Sequence, residues 1–215
     1  MQVEKIAGYA PKIHEKMRQL AVQCGIAIGY GWTSQEQHGK GENHYTLLDK
    51  NGGVLSDYVK IHPFSYGGED RFYHSGEKLT SAVLGEFSVG TLICYDLRFG
   101  ELFRLMALRG AQILVLPANF TEATGRAHWE VLVRARAIEN ECYVIAPNQV
   151  GKKPRFTAYG HSLIVDPRGK VLAEADGTET GIIYAPIDLD LVSKVRKETF
   201  ALQNRREDVY TLSKK

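Results

Sequence analysis

In the stretch GTLICYDLRFGE, Gly90 to Glu101, an apolar run of Thr91, Leu92 and Ile93 ends on a thiol, Cys94. Tyr95, Asp96, Arg98 and Glu101 follow at once. A lone cysteine ordinarily packs as a small hydrophobe and needs no charged company. One that acts as a nucleophile must be a thiolate, and cations or helix N-termini favour that form. Lys60 closes another strand-like run, SDYVK, and leads into an irregular loop that contains Glu69 in GGEDRF. An ammonium near a sulfur favours the thiolate and can hold a developing oxyanion. Glu69 would orient that lysine or accept a hydrogen bond from substrate. Asp96, Arg98 and Glu101 read as architecture, with an Arg–carboxylate fork fixing the turn after Cys94. Arg134, Arg136 and Glu139 read as an ion-pair network on the helix behind it. His128 is a possible base, but its place at a helix start favours packing or capping.

The elements that must position these groups follow from periodicity. Lys12 to Cys24 reads as a helix with Ile13, Met17, Leu20 and Ala21 on one face, closed by Gly25. Ile26–Trp32 reads as a buried strand, SQEQHGKGEN as a polar loop, and His44–Asp49 with Val54–Lys60 as a hairpin turning at KNGG. Cys94 ends the strand FSVGTLICYD, and a helix spans roughly Gly100 to Arg109. Ala111–Phe120 reads as a strand covered on both faces. RAHWEVLVRARAIENE reads as a long helix, CYVIAPNQVG as the next strand, and YGHSLIVDPRGKVLAEA as a hairpin turning at Pro167, Arg168 and Gly169. GIIYAPID reads as a last strand and LDLVSKVRKETF as a last helix. Helices alternating with buried strands, plus hairpins, predict an α/β fold with mixed sheets. In such sheets ligands gather beyond the carboxyl ends of strands, where Cys94 and Lys60 both lie.

The whole chain agrees with this picture. Its 215 residues predict a single domain over 1–215 with a substantial core. A net charge of +2 is too small to argue for nucleic acid or an anionic membrane, and no apolar run approaches spanning length. The start lacks the apolar core of a signal peptide, so a cytoplasmic location is expected. Three cysteines without a C-x-x-C pair give neither a disulfide framework nor a zinc knuckle. Cys24 and Cys142 lie in apolar settings and read as inert. No metal or organic cofactor is implied.

YVKIHPF, GTLICYDLRFGEL, GAQILVLPANF, HWEVLVRARAIENECYV and GHSLIVDPRGKVL resemble, in order, the motifs of the nitrilase superfamily of carbon–nitrogen hydrolases. FTEATGRAHWEVL and QNRREDVY look most like its omega-amidase branch. The resemblance implies an αββα sandwich, a homodimer, and a Glu–Lys–Cys triad acting on a small amide. The lysine falls on Lys60, the nucleophile on Cys94, and a second, loop glutamate on Glu69. The oxyanion is expected on Lys60 and the N–H of Tyr95. An omega-amidase substrate carries a carboxylate, for which Arg126 is the candidate cation. Asn119 and Phe120 are further candidates for substrate binding. The family's general-base glutamate lies in an upstream "PE" motif, and no such dipeptide precedes Lys60. Glu4, Glu15, Glu36 and Glu42 sit in other contexts. The chain is therefore expected to be N-terminally truncated, lacking a first strand–helix–strand segment, or to be a degenerate member. Gly100 stands where proline is common in the family. The rival expectations are a catalytically inactive binding or assembly protein and a redox-sensing thiol protein. The lack of a nearby resolving cysteine weakens the second.

Overall fold

A computed structural model describes residues 3–35 and 39–213. Glu36 lies outside the described residues. The chain forms two compact units, one running to Glu86 and the other starting at Phe87.

The first unit opens with helices α1 (Val3–Ala7) and α2 (Ala10–Cys24). Proline in the first turn suits α2, because its missing N–H is unpaired there anyway. Gly25 ends it with φ 66°, a left-handed cap that its lack of Cβ makes cheap. Strands β1 (Ile28–Gln35), β2 (Gly41–Leu48) and β3 (Val54–Val59) form an antiparallel sheet in that order. The β2–β3 turn is held by Asp49, whose Oδ1 accepts the N–H groups of Asn51 and Gly53. Both β1 and β2 reach further into the expected polar loop than periodicity suggested. Their cross-strand pairs Trp32–His44 and Ser34–Glu42 extend the ladder there. Strand β4 (Ser81–Leu84) lies at the end of this unit.

The second unit alternates strand and helix. Strand β5 (Phe87–Thr91) leads to α3 (Gly100–Leu108), β6 (Ile113–Val115), α4 (Glu122–Asn140) and β7 (Tyr143–Ala146). Strands β8 (Val150–Lys152) and β9 (Thr157–Tyr159) form a small ribbon. Strands β10 (Leu163–Val165) and β11 (Val171–Glu174) form the expected hairpin, and α5 (Leu189–Thr199) follows. β5, β6 and β7 are parallel neighbours, and β10 joins β7 antiparallel, giving the mixed α/β sheet expected. Leu92, Leu114, Leu116, Val144 and Val165 are fully buried, as near-continuous apolar strands covered on both faces should be. Thr121 caps α4 through its side chain, and Asp188 caps α5.

Two expectations fail. GIIYAPID is not a strand: it forms no ladder among the described residues, and Ile182 and Tyr184 are 78% and 80% exposed. Pro186 removes one ladder donor, and the segment's end is tied instead by Tyr143, whose hydroxyl bonds to the backbone of Asp188. The run from Ala111 to Phe120 is a strand only at its centre. Beyond it, isolated backbone bonds continue from Leu116 to Ile145 and from Ala118 to Pro147.

Candidate active site

In the first unit, Lys60 directly follows β3. Its N–H donates to the Asn43 carbonyl at 2.9 Å, continuing the β2–β3 ladder by one residue. Its own carbonyl accepts from Gly76 at 2.8 Å. Glycine is required at 76, because a Cβ there would collide with the Val59 carbonyl. Lys60 is 3% exposed. A buried ammonium costs several kcal/mol unless it is paired, and Lys60 Nζ donates to Glu69 Oε2 at 2.5 Å. The irregular loop brings Glu69 back to the strand through two single-turn 3₁₀ segments, Ser65–Gly67 and Glu69–Arg71. The Phe64 N–H donates to Glu69 Oε2 at 2.7 Å, and Asn43 Nδ2 to Oε1 at 3.1 Å. Lys60 and Glu69, nine residues apart and both expected to do chemistry, are thus brought together. Asn43 and the Phe64 N–H were missed by sequence reasoning. The period of two in β2 and β3 could have found Asn43, which is the cross-strand neighbour of Lys60.

In the second unit, the parallel ladder runs past β5 up to the sulfur: Leu92 N–H donates to Val115 O and Cys94 N–H to Pro117 O. The chain then turns into a 3₁₀ segment, Cys94–Arg98. Cys94 has φ 48°, a left-handed conformation that a residue with a Cβ adopts at a cost of about 1–3 kcal/mol. Such a turn from strand to helix projects a side chain off the end of a sheet, as nucleophile elbows do. Asp96, fully buried, fixes the turn by accepting the Ile93 N–H at 2.8 Å. Arg136 supports it from α4, with Nε donating to Leu97 O at 2.9 Å and Nη1 to Glu139 at 2.7 Å.

Arg98 lies 5.9 Å from the Tyr95 ring and 5.7 Å from the Phe120 ring, with its Nη2 3.3 Å from His128 Nδ1. Glu101 is exposed. Arg134 stands apart from the Arg136–Glu139 pair, bonding to Glu130 and the Gly169 carbonyl. Arg126 is exposed and pairs with Glu122 one helical turn away. Phe120 is buried against Trp129. Asn119 Oδ1 is buried without a hydrogen-bond partner among the described residues. Glu4 and Glu15 lie on α1 and α2, Glu15 accepting from Gln19. Glu42 reaches His44. The three thiols differ sharply. Cys142 is sealed, and burial pushes its pKa up to about 11. Cys24 is exposed rather than packed, because its position at the end of α2 turns it outward.

Residues 6–197 match the family model described as "Carbon-nitrogen hydrolase". The chain is 37% identical over 220 residues to omega-amidase NIT2 of Xenopus tropicalis, covering 99% of this chain and 78% of that protein. It is 38% identical over 214 residues to a deaminated glutathione amidase of Synechocystis, covering 95% of this chain and 78% of the relative. Among solved structures, the C. elegans NitFhit protein superposes with a TM-score of 0.90 at 35% identity, over 98% of this chain and 54% of that one. A carbon–nitrogen hydrolase from Helicobacter pylori G27 gives 0.89 at 27% identity, over 96% and 76%.

Proposed function

This chain belongs to the carbon–nitrogen hydrolase family, and from that premise we propose that it cleaves a small linear carboxamide to acid and ammonia through a thioester on Cys94. The observation that carries the reading is Cys94 itself, held at φ 48° where a parallel ladder ends. A packing cysteine needs no such turn.

In the proposed reaction the Cys94 thiolate attacks the amide carbonyl. The Lys60 ammonium and the Tyr95 N–H receive the tetrahedral oxyanion. The C–N bond breaks as a glutamate passes the proton it took from the Cys94 thiol to the nitrogen, which leaves as ammonia. Water then hydrolyses the thioester and frees the acid. Glu69 orients Lys60, and Asn119 Oδ1 is an acceptor available to the substrate NH₂. The substrate in this reading is the terminal amide of a 2-oxo acid, as the resemblance to the omega-amidase branch implies. Arg126 would exchange Glu122 for the substrate carboxylate. A homodimer belongs to the same reading, and light scattering that returned a monomer mass would exclude it.

Glu69 is the carboxylate seated beside Lys60, and its oxygens accept three donors. Acylation by an ester analogue, whose leaving group needs less protonation, is expected to outpace acylation by the amide. The test is rapid-quench intact mass spectrometry with a 2-oxo acid amide, alongside ammonia release. An acyl adduct on Cys94 that disappears in Cys94→Ala supports the reading. Persistence of the adduct in that variant overturns it. Glu69, with three donors already on its oxygens, favours a second reading, amide binding without turnover. That reading predicts saturable substrate binding by calorimetry with neither ammonia nor adduct.

A further inference from the structure

We infer that Asn43 is a positioning residue for the Lys60–Glu69 pair, holding both partners at once. The inference rests on the amidase reading for its catalytic consequence, but its geometry lies wholly within the first unit. The Asn43 carbonyl fixes the Lys60 backbone at 2.9 Å, and its side-chain amide fixes Glu69 Oε1 at 3.1 Å. Oε2 is taken by Lys60 and by the Phe64 N–H.

Each carboxylate oxygen thus has an assigned donor. Without the Asn43 amide, Glu69 could rotate about its terminal bond and present either oxygen to Lys60. The ammonium would then lose its single orientation. A lysine that must meet an oxyanion within hydrogen-bonding distance tolerates little such freedom. Asparagine suits the task because its NH₂ donates without adding charge. Aspartate of the same shape would set a second carboxylate against Glu69.

The experiment compares wild type, Asn43→Ala and Asn43→Asp, which all keep the backbone carbonyl that holds β3. The first readout is the ¹⁵N ammonium signal of Lys60, assigned with Lys60→Arg; tight pairing slows its exchange with water and makes it visible. The second is the split between kcat and KM on the amide. We expect the signal to broaden away in both variants. The expected fall in kcat is about ten- to a hundredfold for Asn43→Ala, as for loss of a hydrogen bond to a charged group, and greater for Asn43→Asp. KM should change little. An unchanged Lys60 signal in Asn43→Ala overturns the inference, whatever happens to kcat. So does a fall confined to KM. If the wild type turns over no amide, the amidase reading fails, and the ammonium signal alone decides: its loss upholds the positioning role and its persistence refutes it.

Discussion

The two faces of the β1–β2–β3 sheet carry equally dense polar networks with opposite purposes. On one face Asn43, Lys60 and Glu69 hold a cation that is buried but paired with a single carboxylate. On the other, His44 Nδ1 meets Asp57 Oδ2 at 2.8 Å and Nε2 meets Ser34 Oγ at 3.0 Å. Those are the distances of a Ser–His–Asp triad. Yet Glu42 Oε2 sits 3.2 Å from the same Nε2 and competes with the serine for it. Trp32 stacks flat on the imidazole at 4.0 Å, and Trp32 Nε1, Thr46 and Asp57 complete a closed chain of hydrogen bonds. A base must keep a nitrogen available for the proton it takes. The His44 face spends its polar groups on each other, so distances alone do not make a catalytic site. Its product is a cross-linked sheet whose opposite face carries Asn43 and Lys60.

The sharpest way to break this contrast is to strike each face and watch activity and stability separately. Lys60→Met should lower kcat/KM on the order of 10³-fold, measured by ammonia release at a temperature well below the variant's own melt. A variant that only lost stability would erase the distinction. Glu69→Gln keeps the shape but removes the charge that holds Lys60. It should cost about ten- to a hundredfold in kcat, read in the same assay.

Asp57→Asn should do the reverse, lowering unfolding free energy by roughly 1–2 kcal/mol because the side chain is partly exposed, with kcat within about twofold. Burial pushes the Asp57 carboxyl up, but hydrogen bonds from His44 and Thr46 outweigh it and leave it below its usual 3.8. A carboxyl held low in the folded state stabilises above its ordinary value and loses that contribution as the pH falls through the folded one. The gap between wild type and Asp57→Asn in urea melts should therefore close below about pH 3.8. The smallest effect expected is at Ser34. An organofluorophosphonate should leave it unlabelled by mass spectrometry, and labelling that depends on His44 would show that the competition from Glu42 is too weak.

Much of the site was legible because chemistry-bearing residues sit at strand ends. Cys94 and Lys60 each terminate an apolar run, and the helices behind them follow their periodicity closely. What resisted reading was tertiary. That Arg136 donates to the turn after Cys94 depends on where α4 crosses it, thirty-nine residues along the chain. GIIYAPID has the composition of a strand, but a strand needs a neighbour, and composition does not say whether one is present. The His44 network escaped notice because its members are spread over three strands and become a group only once register is fixed.

The unequal settings of the three cysteines have a practical side. With its thiol pushed up to about 11 and no surface exposed, Cys142 will ignore a maleimide at neutral pH. Exchanging the outward-facing Cys24 for serine would therefore leave residue 94 as the chain's one addressable attachment point. A fluorophore or spin label placed there would turn occupancy of that strand end into an optical or magnetic signal, with no turnover required.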